Sequence, residues 1–222
     1  MLTTLAAPAF ADTWCIENGN ITVKAGDTEG TNKVSQGANQ EVEDTDTIIT
    51  NQKTDTASSN TVTIDAEDHK VEVTLDNVNI KAGSGSALTS KGDVTLTLKG
   101  DNHLTGGISD TGNYGRNGIA STGSLTISGG STVTANGGNG SSGRDGISSS
   151  SGVTVSDGTV TATGGNSTGS YGSGGDGIRS DGGVTISGNT VNAAGGSGGK
   201  VGGYGICSFD RVAISGGSAT HT

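Results

Sequence analysis

The chain is poor in what a compact globular core is made from. Aromatic residues are 3% of its 222 residues, with two Phe and one Trp, and there is one Pro. That excludes a core built on large rings. Two cysteines, Cys15 and Cys207, are too few for a disulfide framework. Basic charge is scarce: the net charge is −10, which leaves no electrostatic footprint for nucleic acid or for an anionic lipid surface. No stretch approaches the 18 or more apolar residues of a membrane-spanning helix, so membrane insertion is not expected. The acidic run Glu41-Val42-Glu43-Asp44-Thr45-Asp46 reads as solvated surface.

What the chain has in quantity is glycine, 42 residues without a Gly-X-Y period. Such a content suits low-complexity disorder, but the apolar residues are regularly spaced and mostly β-branched. Five segments align on a short apolar anchor: Leu88, Ile119, Ile147, Ile178 and Ile206, at separations of 31, 28, 31 and 28 residues. Each unit carries three apolar beats. The anchor lies in a Gly-Ile-x-Ser motif. Six residues later begins an alternating pair, as in Val94/Leu96, Leu125/Ile127, Val153/Val155, Val184/Ile186 and Val212/Ile214. The third beat is Leu104, Val133, Val160 and Val191, with Ala219 aligned to Val160. Alternation over four or five residues is the period of a strand. Between second and third beats lie Ser128-Gly129-Gly130, Ser156-Asp157-Gly158, Ser187-Gly188-Asn189 and Ser215-Gly216-Gly217, which read as tight corners.

Three short strands per unit cannot bury an apolar face alone, whereas stacking units in register does so. The expected fold is all-β, a right-handed parallel β-helix with three sheets. An antiparallel sandwich would not require the same three beats at the same offsets. The half-turn from Val71 continues the pattern backwards. The organisation is then residues 1–11 as a signal-peptide remnant, 12–65 as an N-terminal cap with irregular first coils, and 66–222 as coils. The leader rests on Leu5-Ala6-Ala7-Pro8-Ala9-Phe10-Ala11, a small-x-small cleavage pattern that points to a secreted or cell-surface protein. The chain stops inside a third strand, so further coils are expected beyond it. Cys15 and Cys207 fall several coils apart, beyond the ~7 Å reach of a disulfide, and both are expected to be unpaired.

The third connection of each unit swells with Gly and Ser, over 106–115, 137–143, 164–175 and 195–203. Length variation confined to one corner places these loops on one edge, which in solenoids is often the binding face. Tyr114, Tyr171 and Tyr204 lie in or at the end of them, and exposed aromatic planes beside polar groups suit pyranose rings. The alternative is that these tyrosines cover the corner's backbone. Arg116 and Arg144 occupy equivalent positions, as cationic contacts to a ligand or as a surface charge ladder. Asn117, Asp145 and Asp176 form one column, with Asp181 nearby. They offer oxygens to calcium or cap the corner as Asx turns. His69, His103 and His221 fall at unrelated positions and no nucleophile triad is present, so no enzyme activity is expected. Outward threonines on the third strand form rows of an ice-binding kind, or simply follow strand propensity.

The run VEVTLDNVNIKAGSGSALTSKGDVTLTLKGDNHLTGG from Val71 and the repeats after it resemble secreted carbohydrate-binding-domain β-helix proteins of Gram-positive anaerobes. The start of the mature chain, Trp14-Cys15-Ile16-Glu17-Asn18-Gly19-Asn20-Ile21-Thr22-Val23, is similar too. The resemblance implies a pectate-lyase-like fold without cleavage and calcium-dependent polysaccharide binding. The family's Asp-rich pattern is kept in full as Asp176-Gly177-Ile178-Arg179-Ser180-Asp181. Asp145 keeps half of it, and Asn117 replaces the acid one coil earlier. The expected role is an extracellular polysaccharide-binding or adhesion module. The competing readings are a structural stalk, a polysaccharide lyase and an ice binder.

Overall fold

The computed structural model describes residues 12–221 apart from 112, 188 and 189, with the backbone alone for 67, 68 and 221. The expected leader, the Gly188-Asn189 corner and the His221 side chain lie outside the described residues. The chain is a parallel β-solenoid of about six turns with a mixed N-terminal region. Among the described residues there is no α-helix, only a 3-10 turn at Ile16–Asn18.

The anchor residues stack in one column, each paired in parallel with the next: Leu88 to Ile119, Ile119 to Ile147, Ile147 to Ile178, Ile178 to Ile206. The column reaches further down, through Val62 to Ile21. All its members are buried except Ile206, which is half-buried on the last coil. Two residues after Ile119, Ile147 and Ile178 the chain turns inward again at Ser121, Ser149 and Ser180. Their hydroxyls donate to carbonyl oxygens of the following corner, Ser121 to Gly123 at 2.8 Å, Ser149 to Gly152 at 3.1 Å and Ser180 to Gly183 at 3.2 Å, and Ser149 also donates to Gly123 in the coil below at 2.8 Å. This accounts for the serine of the motif: a small donor satisfies a corner carbonyl that faces the core.

The second beat stacks as expected, Val94–Leu125–Val153–Val184 and Leu96–Ile127–Val155–Ile186. In the lower coils strands Val62–Asp76 and Leu88–Lys99 run through the first corner, fusing the first two strand columns into one sheet. From Ile119 upward that corner separates them. The third column is a separate sheet of six strands, from Asn79–Lys81 to Ser218–His221. At the corner before it, Gly129, Gly158 and Gly216 take φ of 83°, 91° and 83°, the left-handed region that glycine enters without steric cost.

The third beat is in different register from the expected one in its first coil. Val133 pairs with Asn102, while Leu104 pairs with Ala135. Both positions point inward, and Asn102 is fully buried where its neighbours in the column are valines. It is tolerated because its amide is satisfied: Oδ1 accepts from the Val78 N–H at 2.9 Å, and Nδ2 donates to the Lys99 and Thr132 carbonyls. Leu104 supplies the bulk in the column where the coils above carry Ala.

At the N-terminal end, Ile21–Ala25 pairs in parallel with the coil above and antiparallel with Asn32–Gln36, which pairs antiparallel with Asn39–Asp44. This meander ends the stack on a short strand with exposed polar side chains, an arrangement that discourages further pairing. Asp44 corrects the reading of the acidic run as wholly solvated. It is buried, accepting from the Trp14 indole at 2.8 Å and from the Asp12 and Asp46 N–H groups. Cys15 and Cys207 are both free thiols.

Candidate functional site

The Gly-rich connections are loops only at their tips. At their base the outgoing and returning limbs of successive coils alternate in one ladder of backbone hydrogen bonds. The Arg116 N–H donates to Gly107, Gly138 to Arg116, Arg144 to Gly138, Gly165 to Arg144, Gly175 to Gly165, Gly196 to Gly175 and Gly203 to Gly196, at 2.7–3.2 Å. Little space is left for side chains. A Cβ on Gly138, Gly165 or Gly196 would collide with the carbonyl oxygen of Gly107, Gly138 or Gly165, one coil below. Glycine here provides close approach of backbone to backbone, a second use beside its corner φ. The limbs form a fourth layer along one edge of the solenoid.

Arg116 and Arg144 sit in this ladder at equivalent positions, where later coils have Gly175 and Gly203, and the next residues are Asn117, Asp145, Asp176 and Tyr204. These four also form a ladder. The Asp145 N–H donates to Asn117 Oδ1 (3.1 Å), Asp176 N–H to Asp145 Oδ1 (2.8 Å), and Tyr204 N–H to Asp176 Oδ1 (2.7 Å). The side chains thus cap the coil above, not their own corner as Asx turns would. Asp181 is not part of this group: it follows the strand Ile178–Ser180 that Asp176 precedes, and its N–H donates to Ser149.

Two adjoining grooves run along the edge. The lower, of about 350 Å³, is lined by Arg116, Asn117, Ala120 and Arg144 among others. The upper, of about 520 Å³, is lined by Tyr114, Arg144, Asp145, Asp176, Arg179 and Tyr204, over a floor of Gly and Ser backbone. The three tyrosines share the edge but not a column. Tyr114 is in register with Ser142, and Tyr204 takes the Asx position. Tyr171 is 89% exposed beside the Gly169–Gly172 turn and does not line the groove. Arg179 escaped the sequence reading. It projects outward from an anchor strand where the neighbouring coils carry Ser148 and Cys207, and only the register shows that it meets Asp176. Its guanidinium is 3.4 Å from Asp176 Oδ2 and 4.9 Å from the centre of the Phe209 ring. Of the chain's four arginines, Arg116, Arg144, Arg179 and Arg211, three line these grooves.

Burial pushes the Asp145 carboxyl above its ordinary value. The Asp176 N–H opposes the rise, the Asp176 charge adds to it, and Arg179 and Arg144 oppose it. The folded protein therefore holds this proton to higher pH than the unfolded chain does. Stability falls as pH rises from about 4, the unfolded value, through the raised folded one. Asp145→Asn keeps the Oδ1 acceptor, as Asn117 shows one coil below, and should remove that component of the pH dependence in a thermal unfolding series run upward from about pH 4. Asp145→Ala orphans the Asp176 N–H and should cost about 1–3 kcal/mol. An Asn variant as destabilised as the Ala variant at neutral pH would refute the capping role.

A third cavity, of about 490 Å³, lies beside the N-terminal meander, lined by Glu29, Asp46, Lys70, Glu72 and neighbours with no aromatic group. His69 and His103 line none of these grooves. Among the described residues, no three His, Cys, Asp or Glu side chains gather as a metal-binding group. No protein-family model, curated protein or solved structure matches the chain.

Proposed function

We propose that this chain is an extracellular, non-catalytic polysaccharide-binding module whose ligand lies along the Gly-rich edge. The observation that carries the reading is the upper groove. Tyr114 and Tyr204, 51% and 64% exposed, stand over a backbone floor between arginines and carboxylates on successive coils. Apolar ring faces beside charged hydrogen-bonding groups suit the two surfaces of a sugar ring. The coils repeat at the inter-strand spacing of about 4.8 Å, so groups on successive coils are offered along the axis as the units of a linear polymer are. A rigid scaffold carrying recognition on its connections is a common division of labour. The resemblance of the repeats to carbohydrate-binding β-helix proteins points the same way, as does the leader pattern for export. The carboxylates Asp145 and Asp176 each hold a backbone N–H, which supports a binding role over acid–base chemistry.

The test is affinity electrophoresis in native gels containing a dissolved polysaccharide, with carboxymethylcellulose as an acidic probe and hydroxyethylcellulose as an uncharged one of the same backbone. Tyr114→Ala with Tyr204→Ala should weaken retardation by roughly tenfold, the worth of one to two aromatic stacking contacts, with little change in melting temperature. Tyr171→Ala, outside the groove, should leave it as it was. A wild-type chain that neither gel retards would turn the assignment to a structural stalk.

A further inference from the structure

We infer that the Arg179 guanidinium is the fixed cation that meets the ligand in this groove and that ligand binding needs no calcium. This rests on the polysaccharide reading and departs from what the resemblance implies. Calcium takes six to eight oxygen ligands, most of them from carboxylates and carbonyls. Each column residue expected to supply them here has at least one oxygen committed elsewhere. Asn117 Oδ1, Asp145 Oδ1 and Asp176 Oδ1 each accept a backbone N–H from the coil above. Asp176 Oδ2 faces the Arg179 guanidinium at 3.4 Å, and Asp181 lies at the other end of the strand. A divalent cation placed beside Asp145 and Asp176 would have to displace these partners or share a cramped face with Arg179.

Charge gives the same answer. Asp145 and Asp176 together carry two negative charges, and Arg144 and Arg179, which line the same groove, carry two positive ones. The groove therefore holds no excess negative charge to attract a divalent ion, although the chain as a whole is at −10. With Arg116 on the adjoining lower groove the edge becomes locally cationic. Arg179 is also held in place. Asp176 contacts it at one side and the Phe209 ring lies 4.9 Å from its centre, so less side-chain freedom is lost when it meets a ligand. A guanidinium presents a planar fork of donors that matches a carboxylate or sulfate in two-point contact. An exchangeable calcium bridge between protein and sugar anion is thereby replaced by a cation built into the anchor strand.

The experiment uses the full chain in the same two gels, with and without millimolar chelator. Retardation by carboxymethylcellulose should be unchanged by chelator or by added calcium. Arg179→Gln should weaken it about tenfold, the worth of one charge-assisted contact. Arg211→Gln removes the arginine that lines neither groove and should leave it unchanged. Melting temperatures of both variants separate a lost contact from a lost fold. Retardation that the chelator abolishes, or that survives Arg179→Gln in a folded protein, overturns the inference while leaving the polysaccharide reading standing. Absence of retardation in both gels overturns that reading, and this inference with it.

Discussion

Gly165→Ala should lower stability by on the order of 3–5 kcal/mol, a large share of the 5–15 kcal/mol that holds a typical domain together. The added methyl group would meet the Gly138 carbonyl oxygen one coil below and come within 2.9 Å of the Gly137 oxygen. Both are backbone atoms held in the ladder, so neither can turn aside as a flexible side chain would. Relief requires the limb to shift, which lengthens the Gly165 N–H bond to Arg144 at 2.7 Å and the Gly175 N–H bond to Gly165 at 2.9 Å. Each is worth about 1 kcal/mol. Gly130→Ala provides the comparison. Its Cβ would have Asp157 Oδ2 at 3.7 Å as the nearest atom, an ordinary contact, and its φ is not in the left-handed region. That variant should be neutral or slightly stabilising through the unfolded chain. Urea titrations followed by far-ultraviolet circular dichroism measure both. Equal losses at the two positions would mean that glycine is needed for chain freedom in general and not for close approach in the ladder.

The anchor and second columns were legible because a strand that buries one face must alternate, and β-branched residues repeat at the same offsets. The third column slipped by two positions in its first coil. There Asn102 is polar at an inward position and Leu104 is apolar where the next coil has Ala, so hydrophobicity alone pointed to the wrong partner. Only the amide's three hydrogen bonds explain the choice. The N-terminal meander was not legible, since Asn32–Gln36 pairs antiparallel with both Ile21–Ala25 and Asn39–Asp44, outside the repeat. Buried Asp44 within an acidic run is likewise invisible until Trp14 is placed beside it. Glycine in the connections announces backbone freedom but not which carbonyl will fill the space it leaves. At the candidate site, Asn117, Asp145 and Asp176 were rightly put in one column by spacing. Arg179 was not found, because it occurs at an outward position in one coil only and its meaning depends on the side chains of other turns.

Ile147→Asp should be comparably severe, costing about 3–5 kcal/mol as an uncompensated charge in the core, with loss of the apolar burial of Ile147 in addition. Ile147 is fully buried between Ile119 and Ile178 in the middle of the anchor column. Above and below it are hydrocarbon side chains, and the hydroxyl of Ser149 on the same strand already donates to the Gly123 carbonyl at 2.8 Å. A carboxylate there would find no donor and would either remain protonated or draw water into the column. The contrast is Asn102, equally buried, whose amide is matched by one N–H and two carbonyls of its own and neighbouring coils. Burial of a polar group in this solenoid is therefore decided by whether backbone groups at a corner come within its reach. The middle of an anchor strand has none to spare, because its N–H and C=O groups are used in the parallel ladder above and below. Because Asp retains a proton more readily when buried, the variant should recover part of its stability as pH falls, opposite to ordinary acid denaturation. A thermal unfolding series from neutral to acidic pH reads this directly. A variant that melts with the wild type at neutral pH would mean that Ile147 is not in a buried column, and the stacked-coil assignment would fail there.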